Sequence, residues 1–223
     1  MNKKKIIKSV VYFLGEITIV TIGIFIAFQL NNYNEDRKTK NSEISSLKRL
    51  LSDLETEKTF LIKNKNVFTT KRAKLNDIIF NGNRSDLDSL YFYLAQEYVH
   101  YDFNTEYSAL KFSGSLNLIS NDSLRYNLVK YYERGYAYSK EISENHKNYV
   151  ENHLMITLDE IPIDTTYLFN PVLIEEKLND DAFIETVTTQ MMWYRSNLKA
   201  LKIDQVENLM EIIKNDLKSK SDN

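Results

Sequence analysis

The sequence predicts an all-α protein, with one N-terminal transmembrane helix followed by an elongated helical bundle of about three long and two to three short helices. Three observations carry this expectation. Residues 10–30 contain no Lys or Arg, and thirteen of those 21 residues are Ile, Leu, Val or Phe. Five Gly and two Pro in 223 residues are too few for an all-β fold, which turns roughly every 8–12 residues. Beyond the apolar run, apolar residues recur at spacings of three and four, the signature of amphipathic helices.

For the span, thirteen large apolar residues at about −0.3 to −0.6 kcal/mol each favour insertion by about 4 to 8 kcal/mol. Glu16 opposes this by at most about 3 kcal/mol, and by less because it lies near one end. At about 1.5 Å per residue the segment is about 31 Å long, matching a hydrocarbon core of about 30 Å. A cleaved signal has a shorter core closed by a small-x-small triplet. Here the run passes through Phe28, Gln29 and Leu30 into Asn31 and Asn32 without one, so an uncleaved anchor is expected. The organisation read from the chain is a short basic tail at 1–9, the transmembrane helix at 10–30 and a helical-bundle domain at 31–223 in water.

Lys3, Lys4, Lys5 and Lys8 precede the span, whereas Arg37, Lys38, Lys40, Lys48 and Arg49 behind it are interleaved with Glu35, Asp36 and Glu43. Dense positive charge stays inside. The expected place is therefore a bacterial inner membrane, crossed once, with the N-terminus cytoplasmic and the C-terminal domain periplasmic. The absence of Cys fits an oxidising compartment. A net charge of −2 argues against a nucleic-acid partner, which needs a basic stripe.

The long helices follow in order. Between Gly23 and Gly82 there is neither Gly nor Pro. Ile44, Leu47, Leu51, Leu54, Leu61, Phe68 and Leu75 form a seam interrupted by Lys58 and Lys65. This predicts a helix over 43–81, one bundle helix in preference to a dimeric coiled coil, ending at Asn81-Gly82-Asn83. Ser85 is read as the cap of a short helix carrying Leu87, Leu90, Tyr91, Leu94 and Tyr98, and Thr105 as the cap of another reaching Phe112. Asn121 or Asp122 starts a helix over 122–158. Its stripe is Leu124, Leu128, Tyr131, Gly135, Tyr138, Ile142, His146, Tyr149, His153 and Ile156. Asn170-Pro171 reads as N-cap and first turn. The last helix, 181–218, shifts phase between Leu201 and Val206.

Candidate chemistry is sparse. His146, Tyr149 and His153 lie on one stripe, where the expectation is a buried, hydrogen-bonded polar seam. At i, i+7 the two imidazoles are about 10 Å apart along the axis, too far to share a metal unaided. Glu97-x-x-His100 is half of a di-iron ligand pair whose second half is missing. Ser196-x-x-Lys199 and Ser45-x-x-Lys48 lack the companion motifs of a Ser-Lys nucleophile. With no glycine-rich phosphate loop, Cys nucleophile or His-Glu-x-x-His, neither an enzyme nor a bound cofactor or metal is expected. The aromatic residues from Tyr91 to Phe112 are read as core before ligand pocket. In the span, Gly15, Gly23 and Ala27 share a ridge beside Glu16. Small residues of this kind let two membrane helices approach, which predicts self-association of the anchor.

Phe13-Leu14-Gly15-Glu16-Ile17, Ile22-Gly23-Ile24 and Gln29 through Glu35 together resemble the opening of domain-of-unknown-function family 6090, uncharacterised single-span bacterial membrane proteins. Phe28 stands where that pattern has Leu, and Tyr33 where it has Trp, keeping an interfacial aromatic. Tyr107 through Lys111, Ser113 through Leu116 and the following Ile119, Asn121 and Leu124 form a second similar patch. The resemblance implies the same architecture and supplies no activity. The function expected is non-enzymatic: protein–protein interaction or an accessory role at the bilayer. The alternative is an extracytoplasmic small-ligand sensor acting through a partner subunit.

Sidedness is directly testable because the chain has no Cys. A single Cys placed at Asn83 should react with a membrane-impermeant maleimide while the inner membrane is intact. Labelling that appears only after that membrane is disrupted reverses the orientation.

Overall fold

The computed structural model describes the backbone of residues 3–221 and the side chains of 13–220, so the basic tail's side chains lie outside the described residues. Among the described residues the regular secondary structure is helical, apart from one antiparallel bridge between Ile163 and Phe169. Two compact units divide at Ser46 and Leu47. Helix α1 (Lys3–Phe80) runs unbroken for 78 residues, as its lack of Gly and Pro after Gly23 allows.

In the first unit, α1 is a helix long and apolar enough to cross a membrane. Its most apolar stretch has a mean hydropathy of 2.0 and none of it is buried. The side chains of Ile19, Ile24 and Phe25 stand clear of other protein. Thr18 and Thr21 donate their hydroxyls to the carbonyls of Leu14 and Ile17, both at 2.8 Å. These polar groups are thereby satisfied within the helix, as a lipid environment demands. Gly15, Glu16, Gly23 and Ala27 are all exposed. A methyl group added at Gly15 or Gly23 would meet nothing within 4 Å.

In the second unit, α1 buries Leu47, Leu50, Leu54, Glu57, Leu61, Phe68, Leu75 and Ile78. The expected Lys interruptions of this seam are corrected: Lys65 is exposed, and Lys58 turns out to pair with Glu207 at 2.8 Å. The residue that does break the apolar run is Glu57. α1 stops at Phe80, and Gly82 takes a positive φ of 68° that a side chain would oppose. A single 3-10 turn, Leu87–Ser89, leads into α2 (Leu90–Leu94). Ser85 caps neither; its amide and hydroxyl both bond to the Asn83 side chain. After an irregular stretch come α3 (Thr105–Phe112) and, beyond Gly114 in the left-handed region, a 3-10 turn at Ser115–Leu118.

The helix expected over 122–158 forms, but not as one regular α-helix. α4 (Asp122–Val129) is capped by Asn121, whose side chain accepts from the Leu124 amide at 3.0 Å. A π segment, Lys130–Gly135, links it to α5 (Tyr136–Tyr149), and a second, Val150–Leu154, links that to α6 (Met155–Asp159). The i→i+5 pairing of a π turn inserts a residue and rotates everything after it. The buried face therefore runs Tyr131, Tyr132, Gly135, Tyr136, Ser139, Ser143, His146, Val150, Leu154 and Leu158. The expected stripe is corrected accordingly: Tyr138 and Ile156 are 40% and 60% exposed, and Ile142 is only half-buried.

Asn170 caps α7 (Pro171–Lys177), accepting from the Val172 amide at 3.0 Å with Pro171 in the first turn. The predicted final helix is two: α8 (Asp181–Ala200) and α9 (Ile203–Ser221). Lys202 sits between them at φ 48°, which accounts for the phase shift in the sequence. α5 packs on α8, α4 on α9 and α7 on the turn before α2. Tyr98 and Tyr107 are core residues, but Phe92, Tyr101 and Phe112 are exposed, so the aromatic cluster is only partly interior.

Phe68 marks the centre of this packing. It is fully buried, stacked on Tyr194 at 5.5 Å and edge-on to Tyr98 at 5.8 Å. Phe68→Ala should cost about 3–5 kcal/mol, read as a lower urea midpoint with unchanged slope.

Candidate functional site

The segment from Ala95 to Asn104 is neither helix nor strand, so most of its backbone amides and carbonyls have no regular ladder to join, although the Ala95 and Gln96 amides turn back to the Tyr91 and Leu94 carbonyls. Buried groups of that kind must be satisfied from elsewhere. Polar side chains of α5 and α8 do this, and they form a continuous seam through the second unit.

His146 is the node. It is fully buried, and its Nδ1 accepts from the Tyr98 amide at 3.1 Å and lies 2.8 Å from the Asn197 Nδ2. Two donors on Nδ1 fix the neutral tautomer with the proton on Nε2. That proton goes to Gln190 Oε1 at 3.1 Å. Gln190 Nε2 in turn donates to the carbonyls of Leu94 and Gln96 at 2.7 and 2.9 Å. Tyr194 donates to the Tyr93 carbonyl at 2.6 Å. Ser143 both donates to the Tyr98 carbonyl at 2.9 Å and accepts from the His100 amide at 3.0 Å. Burial holds the His146 imidazole down to about 4, partly offset by its bond to Gln190.

This network includes His146 and does not extend to His153. His153 is exposed, because the second π segment turns Leu154 inward in its place. Tyr149 is half-buried and donates to the Thr186 carbonyl at 3.0 Å. Aromatic contacts still relate the three residues. Trp193 stacks on His146 at 5.4 Å and leans on Tyr149 at 6.1 Å, and Tyr149 stacks on His153 at 5.9 Å. Among the described residues no three His, Cys, Asp or Glu side chains converge as a metal site. Glu97 and His100 do not act as a ligand pair: the His100 imidazole lies between Ser139 Oγ at 3.2 Å and Asp102 Oδ1 at 3.1 Å.

A second polar centre escaped the sequence reading. Glu57, 2% exposed, accepts a bond from the Tyr131 hydroxyl at 2.7 Å through Oε1. The Tyr136 hydroxyl stands in the same cage and receives the Phe103 amide at 3.0 Å. Burial pushes the Glu57 carboxyl up to about 7 against the neighbouring Tyr131 and Tyr136 hydroxyls, helped by the charges of Asp53 and Asp102. Tyr131, Tyr132 and Tyr136 are held far above the ordinary phenol range, by burial first and by Glu57 next. The first π segment creates this cage by turning Tyr131, Tyr132, Gly135 and Tyr136 all inward. Gly135 leaves room for this packing: a Cβ there would lie 3.3 Å from the Tyr131 ring, which would have to give by a few tenths of an ångström. The available signal was spacing: 47, 50, 54, 57, 61 places an acid at a core position of α1.

The His146 network yields a signed prediction. His146→Phe keeps the Trp193 stack but strands the Tyr98 amide and the Gln190 and Asn197 side chains, a loss of about 3 kcal/mol. The imidazole titrates lower folded than unfolded, so the unfolded chain takes up a proton that the folded one refuses. Stability should then fall by about 3 kcal/mol as pH drops from the ordinary histidine value of 6.5 towards 4. Denaturant midpoints across that window should lose this component in His146→Phe; an identical slope in both proteins refutes the assignment.

No protein-family model, no curated protein and no solved structure matches this chain.

Proposed function

We propose that the chain is a non-enzymatic single-pass membrane protein, held by α1 in a bacterial inner membrane, whose helical domain binds another protein. It would present that domain to the periplasm and pair with a second copy along the Gly15, Gly23 and Ala27 ridge. Membership of domain-of-unknown-function family 6090 belongs to the same reading. Support for the anchor is an apolar stretch without any buried residue. The observation that carries the binding role is an open cleft of about 470 Å³ between the end of α6 and α7. Ile161, Pro162 and Leu173 give it an apolar floor, and Glu160, Glu176 and Lys177 stand at its rim.

Exposed apolar side chains also occur on the chain that enters and leaves this cleft: Ile156 on α6 is 60% exposed, Tyr167 in the loop 57% and Val172 on α7 74%. An apolar surface rimmed by polar residues is characteristic of a protein-binding face. The cleft's volume is also within the range of small-ligand sites, which is the observation favouring a sensor that acts through a partner subunit.

Affinity capture of the tagged full chain from native membranes, followed by mass spectrometry, separates the readings. A specific partner recovered with the native chain should fall about thirtyfold with Val172→Glu and Leu173→Glu together, each such apolar anchor being worth about 1 kcal/mol or more. Neither side chain belongs to the hydrophobic core, so the fold should be unaffected. Equal recovery with the variant removes this face from the proposal.

A further inference from the structure

Glu57 is the most deeply buried acid of the second unit and has no ion-pair partner among the described residues. One oxygen accepts from Tyr131, whereas Oε2 has no hydrogen-bond partner. The Tyr132 hydroxyl, on the same π segment as Tyr131, is likewise buried and unpartnered. Glu57, Tyr131, Tyr136, His100, Ser139 and Lys202 line a cavity of about 10 Å³, about the room of a single water. An ionised carboxylate in that setting is poorly compensated. A neutral one leaves no uncompensated charge on the orphaned Oε2.

The charged groups around the cage do not change this. On α1, Asp53 lies one turn earlier and takes the Glu106 amide at 2.9 Å, and Lys58 is committed to Glu207. From the irregular segment, Asp102 is bonded to His100 at 3.1 Å. From α3, Glu106 pairs with Arg49 at 2.6 Å, and the Tyr107 hydroxyl goes to Glu133 at 2.8 Å. Glu133 itself pairs with Lys111 at 2.7 Å. From the α8–α9 link, the Lys202 ammonium sits 4.7 Å over the Tyr138 ring. The nearby acids add negative charge, and the nearby cations are engaged elsewhere.

We propose that Glu57 is a proton-binding site whose bound proton seats the π segment 130–135 on α1, and whose loss releases that segment. The step is a simple deprotonation: the Oε2–H bond breaks, its electron pair stays on the carboxylate, and the proton leaves to water. What remains is a buried anion with a single hydrogen bond, from Tyr131. Release of Tyr131 and its neighbours lets water in to solvate that anion. The raised titration of this carboxyl, to about 7 through burial, agrees with the geometry. It would make the site responsive to pH near neutrality.

Hydrogen exchange of the full chain in lipid nanodiscs tests this. After correction for intrinsic rates, amides of residues 128–136 should open about tenfold more at pH 8.5 than at pH 5.5 in the native chain. Glu57→Gln, which mimics the protonated carboxyl, should be equally protected at both values. Tyr131→Phe removes a bond that favours the charged form, so its opening midpoint should move to higher pH. This keeps the proposal falsifiable even where Glu57→Gln does not fold. Unchanged protection in the native chain overturns the proposal. So does a rise retained in Glu57→Gln, or a Tyr131→Phe midpoint that stays in place.

Discussion

An unpaired stretch of backbone inside a helical domain must find hydrogen-bond partners, and that constraint governs how the second unit is built. Residues 95–104 separate α2 from α3 without forming a helix, yet Tyr98 within them is wholly buried. Each buried amide or carbonyl left alone would cost about 1–3 kcal/mol. The polar residues of α5 and α8 meet that demand. Ser143, His146 and Gln190 are buried for this reason, in positions where a simple bundle would carry Leu. The hydrogen bonds also impose register. His146 contacts the segment through Nδ1 and Gln190 through Nε2, so α5 and α8 are placed relative to each other through a third piece of chain.

The two π segments belong to the same solution. In a straight α-helix beginning at Asn121, the apolar stripe would carry Tyr138, Ile142 and Ile156 inward. One inserted residue near Tyr131 instead brings Tyr132, Tyr136, Ser139 and Ser143 to the interior. Ser139 and Ser143 then reach Tyr98 and His100. The second insertion restores an apolar face at Leu154 and Leu158. Wide turns of this type are weaker than regular ones, and here their gain is the set of side chains that they aim.

What was legible in the sequence follows from this physics. Helix ends are local events: Asn121 and Asn170 cap as their chemistry requires, and the Asn81-Gly82-Asn83 turn stops α1. The break at Lys202 left its trace as a phase shift. The π segments left none, because a wide turn is chosen by tertiary partners and its residues do not announce it. The placement of His153 failed for that reason. Glu57 was missed because a charged residue in an apolar stripe is ordinarily read as a solvated neighbour. The two lysines on the same helix, Lys58 and Lys65, carried the polar character that in fact belongs to the seam. His100 and Asp102 lie in a segment without periodicity, where their partners cannot be inferred from spacing.

Glu57 and His146 are buried in one domain under the same low polarity, and burial moves their titrations in opposite directions. The imidazole is held down to about 4 and the carboxyl up to about 7, and both prefer to be neutral. Their linkages to stability therefore oppose one another. His146 costs stability as pH falls below 6.5, because the unfolded chain alone is protonated there. Glu57 costs stability as pH rises above 4.5, because the unfolded chain alone is ionised. Each effect spans about 3 kcal/mol, and between pH 4.5 and 6.5 the slopes largely cancel. Above that window the histidine has no further effect, while the cost at Glu57 grows up to about 7, where the folded carboxyl ionises. Of these two groups, Glu57 alone therefore links stability to pH at neutrality. It is also the residue whose tyrosine cage depends on a π turn of helix.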